Sequence, residues 1–163
     1  MRLIYLFIIL IIFLVSCEKK SEERENAVIS KGGVVVDVNG KPISLPKDKL
    51  IILNFMAYSC SACMKEIPVL KKILKEPEFK NKFVLIGMVI DSKKNDFSDP
   101  EFPKYANNNV NFIKFPVPGT PTTYIITPEG KKLIYILGAV TEDSLRKYLR
   151  KAMLKYKGAK SPT

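Results

Sequence analysis

With 163 residues, 47% of them hydrophobic, the chain is about one domain long and has apolar content suited to an ordinary globular core. Three cysteines are too few for a small scaffold held by disulfides, and the absence of histidine removes the usual partners of a structural zinc site. The formal charge of +11 reads as a solvated basic face, with attraction to an anionic membrane surface as the sharper alternative.

The first residues place a single Arg2 before an apolar run from Leu3 to Val15. A transmembrane helix needs about 20 residues, so this shorter run matches the core of a secretory signal. It ends in "LVSC", Leu14 to Cys17, which resembles a bacterial lipobox. Residues 1–16 are therefore expected to be a signal peptide, and Cys17 the lipidated N-terminus of the mature chain. An uncleaved membrane anchor is the alternative. Either reading tethers the domain to a membrane outside the cytoplasm, where nucleic acid is no partner. Residues 17–32 are polar and without apolar periodicity, as a tether would be. The folded domain is expected over 33–157, followed by a basic tail over 158–163.

Within that domain, "VVVDV", the turn Asn39-Gly40 and "PISL" predict a β-hairpin. "KLIILNFMA" is a continuous apolar run and predicts a strand buried on both faces. A helix follows in "SACMKEIPVLKKILKEP", with Cys63, Ile67, Leu70 and Leu74 as its apolar stripe and Pro68 as a kink. "KFVLIGMVID" predicts a second buried strand and closes a βαβ unit. Residues 92–109 are polar and proline-punctuated, with at most one short helix, and "VNFIKF" suggests a short strand. "TTYIIT" and "KKLIYIL" form a hairpin around "PEG". The last helix opens with Thr141 as N-cap and turns inward Leu145, Tyr148, Leu149, Ala152, Met153 and Tyr156. The order predicts an α/β sandwich with a mixed central sheet, flanking helices and an N-terminal β-hairpin.

The chemistry lies in Cys60 and Cys63. A disulfide between residues three apart closes a small loop and adds little by chain entropy, which argues against a structural staple. With zinc also short of ligands, redox chemistry remains. Both cysteines lie after a buried strand, at the first turn of a helix, where free N–H groups and the helix dipole favour a thiolate. Cys60, at the helix entry, is expected to be the exposed nucleophile. Cys63, on the apolar stripe, is expected to resolve the mixed disulfide.

The segments "LNFMAYSCSACMKEIP" and "GTPTTYIITPEGK" resemble the thioredoxin fold, and within it the TlpA/ResA group of membrane-tethered extracytoplasmic thiol–disulfide oxidoreductases. The resemblance runs from about Val34 to the last helix. It implies a thioredoxin-like sandwich, a redox site at Cys60 and Cys63, and the pattern C-x-x-C-x-x-E-x-P carried by Glu66 and Pro68. It further implies a cis peptide between Thr120 and Pro121 beside Cys60, where the backbone pairs with an extended substrate. Glu66 is either a modulator of the thiols or a solvated helix residue. Two departures stand out. Ser59 occupies the position before the first cysteine where the family has tryptophan. Asn54 stands six residues before Cys60, where thioredoxin itself has a buried acid.

The resemblance implies no cofactor beyond the cysteine pair, and no metal. It implies disulfide-containing or dithiol envelope proteins as partners, apocytochrome c among them, with a membrane thiol reductase as electron donor. Ser61-Ala62 supplies no histidine to stabilise the thiolate, which favours a reductant over an oxidant. The alternatives are a disulfide-forming oxidase, a thiol peroxidase, a copper carrier of the Sco type and a non-enzymatic binding protein. The peroxidase pattern lacks its proline, and the copper carrier its C-x-x-x-C spacing and histidine.

Overall fold

The computed structural model describes residues 33–160. The signal peptide, Cys17, the whole tether over 17–32 and residues 161–163 of the tail expected from the sequence lie outside the described residues. Five strands form one sheet: β1 (Leu50–Met56), β2 (Phe83–Val89), β3 (Lys104–Ala106), β4 (Thr122–Ile126) and β5 (Lys132–Leu137). They lie in the order β3-β2-β1-β4-β5. β2 runs parallel to both β1 and β3, while β4 is antiparallel to β1 and β5. The sheet is mixed, as expected. Among the described residues three helices accompany the sheet: α1 (Ser61–Leu74), α2 (Asn111–Lys114) and α3 (Glu142–Lys160).

β1 is buried at every position because layers cover both faces of the sheet. Leu50, Ile52 and Met56 pack with Leu70 and Ile73 of α1 and with Leu145, Leu149 and Ala152 of α3. Ile51, Leu53 and Phe55 point the other way, into a core with Val35, Phe115 and Tyr124. The ring of Phe55 lies 6.1–6.2 Å from those of Phe112, Phe115 and Tyr124. Thr141 caps α3 as its sequence suggests, its hydroxyl accepting from the Ser144 N–H at 3.3 Å.

Four local expectations are corrected. The N-terminal hairpin is reduced to a single bridge between Val36 and Pro42, around a turn in which Gly40 takes φ +75°. Its order comes from the Asp37 carboxylate, which accepts from the N–H groups of Asn39 and Lys41. Residues 104–106, read as loop, form the edge strand β3, whose backbone pairs with that of β2. "VNFIKF" contains the helix α2 rather than a strand. Asn111 there accepts from the Val36 N–H and donates to the Val36 carbonyl and to Asn107, so a side chain holds the turn. Finally, the buried stripe of α1, which contains Pro68, is Cys63, Glu66, Leu70 and Ile73. Ile67 and Leu74 are only half-buried. That rotation carries a carboxylate into the core.

Candidate active site

β1 ends in the core at Met56, and the chain leaves the sheet for the loop 57–60 before entering α1. The turn is held from outside by Asp91, just past the end of β2. One Asp91 oxygen accepts from the Tyr58 N–H at 2.8 Å, the other from the Ser59 N–H at 2.9 Å. These backbone donors, Ser59 first, hold the Asp91 carboxyl below the usual carboxylate range. The Tyr58 hydroxyl donates to Asp96 at 3.2 Å, a second tie between the same two loops. Parallel pairing of β1 with β2 brings their C-terminal ends together, which is why residues 33 positions apart meet here.

Cys60 is the N-cap of α1, and its sulfur accepts from the Cys63 N–H at 3.1 Å. The two cysteines are joined as a disulfide, their Cα atoms 5.3 Å apart. Cys60 is half-buried whereas Cys63 is 1% exposed, so any partner must meet Cys60 first. The Thr120–Pro121 peptide is cis, and the Thr120 carbonyl oxygen lies 3.5 Å from the Cys60 sulfur. Gly138 donates to the Pro121 carbonyl at 2.9 Å and ties the loop after β5 to the same site.

Behind the disulfide lies Glu66, only 2% exposed. One carboxylate oxygen accepts from the Val140 N–H at 3.0 Å, the other from the Asn54 side-chain amide at 3.1 Å. The same amide donates to Thr123 at 2.8 Å, and Asn54 and Thr123 sit opposite each other in the β1–β4 register. Burial pushes the Glu66 carboxyl above its ordinary value, and the Val140 and Asn54 donors offset part of that rise. The reading of Glu66 as a solvated surface residue is thereby excluded. Asn54 supplies no acid of its own; it holds one that the helix provides.

Of the five domain residues singled out in the sequence, Cys60, Cys63, Thr120 and Pro121 thus meet at one disulfide, and Glu66 stands three residues on from Cys63 on the buried face of α1. Asp91, Thr123 and Val140 escaped notice. The polar Asp closing "MVID" signals the end of a buried strand, which is where Asp91 acts, but Thr123 and Val140 depend on register and loop packing. Among the described residues no group of three or more His, Cys, Asp or Glu side chains could hold a metal ion.

A thioredoxin-like domain family matches residues 41–153, which include both cysteines, the Glu66 network and the Thr120–Pro121 loop. The chain belongs to that thioredoxin-like family. Among curated proteins, the thiol-disulfide oxidoreductase ResA of Bacillus thuringiensis subsp. konkukian is 32% identical over 143 residues, covering 81% of each chain. ResA of Bacillus subtilis is 30% identical over 127 residues, covering 71% of this chain and 69% of that one. Among solved structures, StoA from Bacillus subtilis superposes with a TM-score of 0.51 at 18% identity, over 70% of this chain and 92% of StoA, a likeness of fold. This thioredoxin-like chain is a thiol–disulfide oxidoreductase of the ResA type.

Proposed function

We propose that this oxidoreductase works outside the cytoplasm, anchored through a lipid on Cys17, and reduces disulfides in envelope proteins. What carries the reading is the contrast of environments: Cys60 half-exposed at a helix N-terminus, Cys63 buried, and a buried carboxylate behind them. In the reduced enzyme the Cys60 thiolate attacks one sulfur of a substrate disulfide, forming a mixed disulfide and releasing the other substrate sulfur as a thiol. Cys63 then loses its proton, with Glu66 as the acceptor, and attacks the Cys60 sulfur. The substrate leaves as a dithiol with two electrons gained, and the Cys60–Cys63 disulfide is left. A membrane thiol reductase returns the pair to the dithiol. The Thr120 backbone lines the approach to Cys60 and serves as the docking edge for an extended substrate segment. A disulfide of apocytochrome c is the substrate class suggested by resemblance.

Trapping tests the assignment. Cys63→Ser should accumulate a mixed disulfide through Cys60, and Cys60→Ser should neither attack nor trap; a trap through Cys63 would reverse the roles. Direction is read from the potential. No cationic side chain lies between the cysteines, and Lys65 is exposed on α1, so the thiolate is stabilised only moderately. The couple should sit nearer to about −270 mV than to the oxidising end near −120 mV, measured by equilibration with a thiol buffer. A value near the oxidising end would make the protein a disulfide-forming oxidase. For the anchor, Cys17→Ala should abolish lipidation, read as the mass of the mature chain.

A further inference from the structure

The end of the sheet opposite the disulfide carries a feature that thiol chemistry does not use. A groove of about 510 Å³ opens there between the C-terminal turns of α3 and the segments that lead into β1 and β2. Leu50, Met153 and Leu154 supply apolar walls, and Leu154 is 71% exposed, the most exposed large apolar side chain among the described residues. Lys82, Arg150 and Lys157 stand among its polar residues. The groove has two acids, Asp48 and Glu78, and Glu78 is held by a two-point contact with Arg150 at 2.7 Å. Lys82 and Lys157, both in its lining, enter no ion pair among the described residues.

Chain entry falls at the same end as the groove. Val34 packs on the β4–β5 turn so closely that a Cβ on Gly130 would lie 2.7 Å from its Cγ1. That turn, the start of β1 and the start of β2 share one end of the sheet, because β1 and β2 are parallel and β4 is antiparallel to β1.

We infer that this pole docks on an anionic phospholipid bilayer, with Leu154 at the level of the headgroups and the lysines over the lipid phosphates. An exposed apolar side chain in a groove that also carries unpaired lysines, Lys82 and Lys157, is a composition that binds such an interface, by apolar burial together with attraction to anionic lipid. The attraction is local, because it decays within a Debye length of about 8 Å at physiological salt.

The chain contains no tryptophan, so a single introduced one reports its own surroundings. Full-length Leu154→Trp, and Phe97→Trp as a reporter on the loop beside the disulfide, would be reconstituted into vesicles of brominated phosphatidylcholine and phosphatidylglycerol. Phe97 is 55% exposed, so both substitutions are made at the surface. Fluorescence at position 154 should be quenched about twofold more than at 97, as expected for a side chain at the headgroup–acyl boundary. The difference should vanish near 1 M salt, where the Debye length is about 3 Å, and in the Lys82→Glu, Lys157→Glu variant. Equal quenching of the two reporters, or the same pattern in phosphatidylcholine alone, would overturn the inference. No quenching at 154 would overturn it as well and would leave an acidic protein surface as the groove's occupant.

Discussion

Two buried carboxylates, Asp37 at the N-terminal turn and Glu66 behind the disulfide, are 6% and 2% exposed, yet their environments drive them in opposite directions. Burial acts on both to favour the neutral acid. At Asp37 it is outweighed by three donors, the N–H of Lys41, the Asn95 amide and the N–H of Asn39, and by the Lys41 charge, so its carboxyl is held below the usual range. At Glu66 burial wins over two donors, and the carboxyl is pushed up. The lesson concerns what a buried acid is for. One saturated with backbone donors ties a turn together and stays ionised. One left short of donors in an apolar layer holds a proton more tightly than a free carboxyl, which suits it to exchange a proton with a neighbouring thiol.

The contrast is broken most directly at Glu66. Glu66→Gln keeps the shape and removes the proton site, so the resolving step should slow by about 10²-fold, the low end of what a positioned acid–base group contributes. Stopped-flow reduction of a model disulfide should show the loss together with a flatter pH profile, while the potential moves little. An unchanged profile would make Glu66 structural.

Stability should show opposite pH slopes for the two acids. A folded-state carboxyl held below its unfolded value contributes stability above about pH 4, lost as pH falls through the folded value. That is the case of Asp37. For Glu66 the folded state binds its proton more tightly than the unfolded chain, so stability falls as pH rises from about 4.3 through the raised value, then levels off. Urea titrations across this range should therefore show Glu66→Gln removing a decline and Asp37→Asn removing a rise.

Asn54→Ala sharpens the comparison from the other side. It strips one of the two Glu66 donors and leaves Thr123 without its partner, at a cost of about 1–3 kcal/mol in denaturant unfolding. The Glu66 carboxyl should rise further, read as an upward shift in the pH dependence of turnover. The smallest effect is expected from Asp37→Asn, about 1 kcal/mol from weakened turn bonds, with turnover unchanged because the turn lies away from Cys60.

Much of this architecture can be read from one-dimensional pattern. The unbroken apolar run of β1 required cover on both faces, and "SCSAC" at its end placed two thiols at a helix entry, because the period of a buried strand stops where the polar turn begins. Glu66 was harder. The apolar residues at 63, 67, 70 and 74 fit one stripe and those at 63, 70 and 73 another, and helical spacing cannot choose between stripes that differ by one residue in rotation.

What the amino-acid order determined by itself was local: strand against helix for β1, β2, β4, β5, α1 and α3, the capped start of α3, and the pair of cysteines with their unequal positions at the start of α1. Tertiary structure decided which acid is buried and what holds it. Glu66 meets Asn54, Thr123 and Val140 because α1 lies over β1, β4 pairs with β1 in one register, and the loop after β5 folds back toward Pro121. Asp91 reaches the cysteine loop because two parallel strands end side by side. These contacts join residues 12 to 74 positions apart, and a carboxyl's proton affinity depends on the donors and water within a few ångströms of it, which neighbours in sequence do not specify.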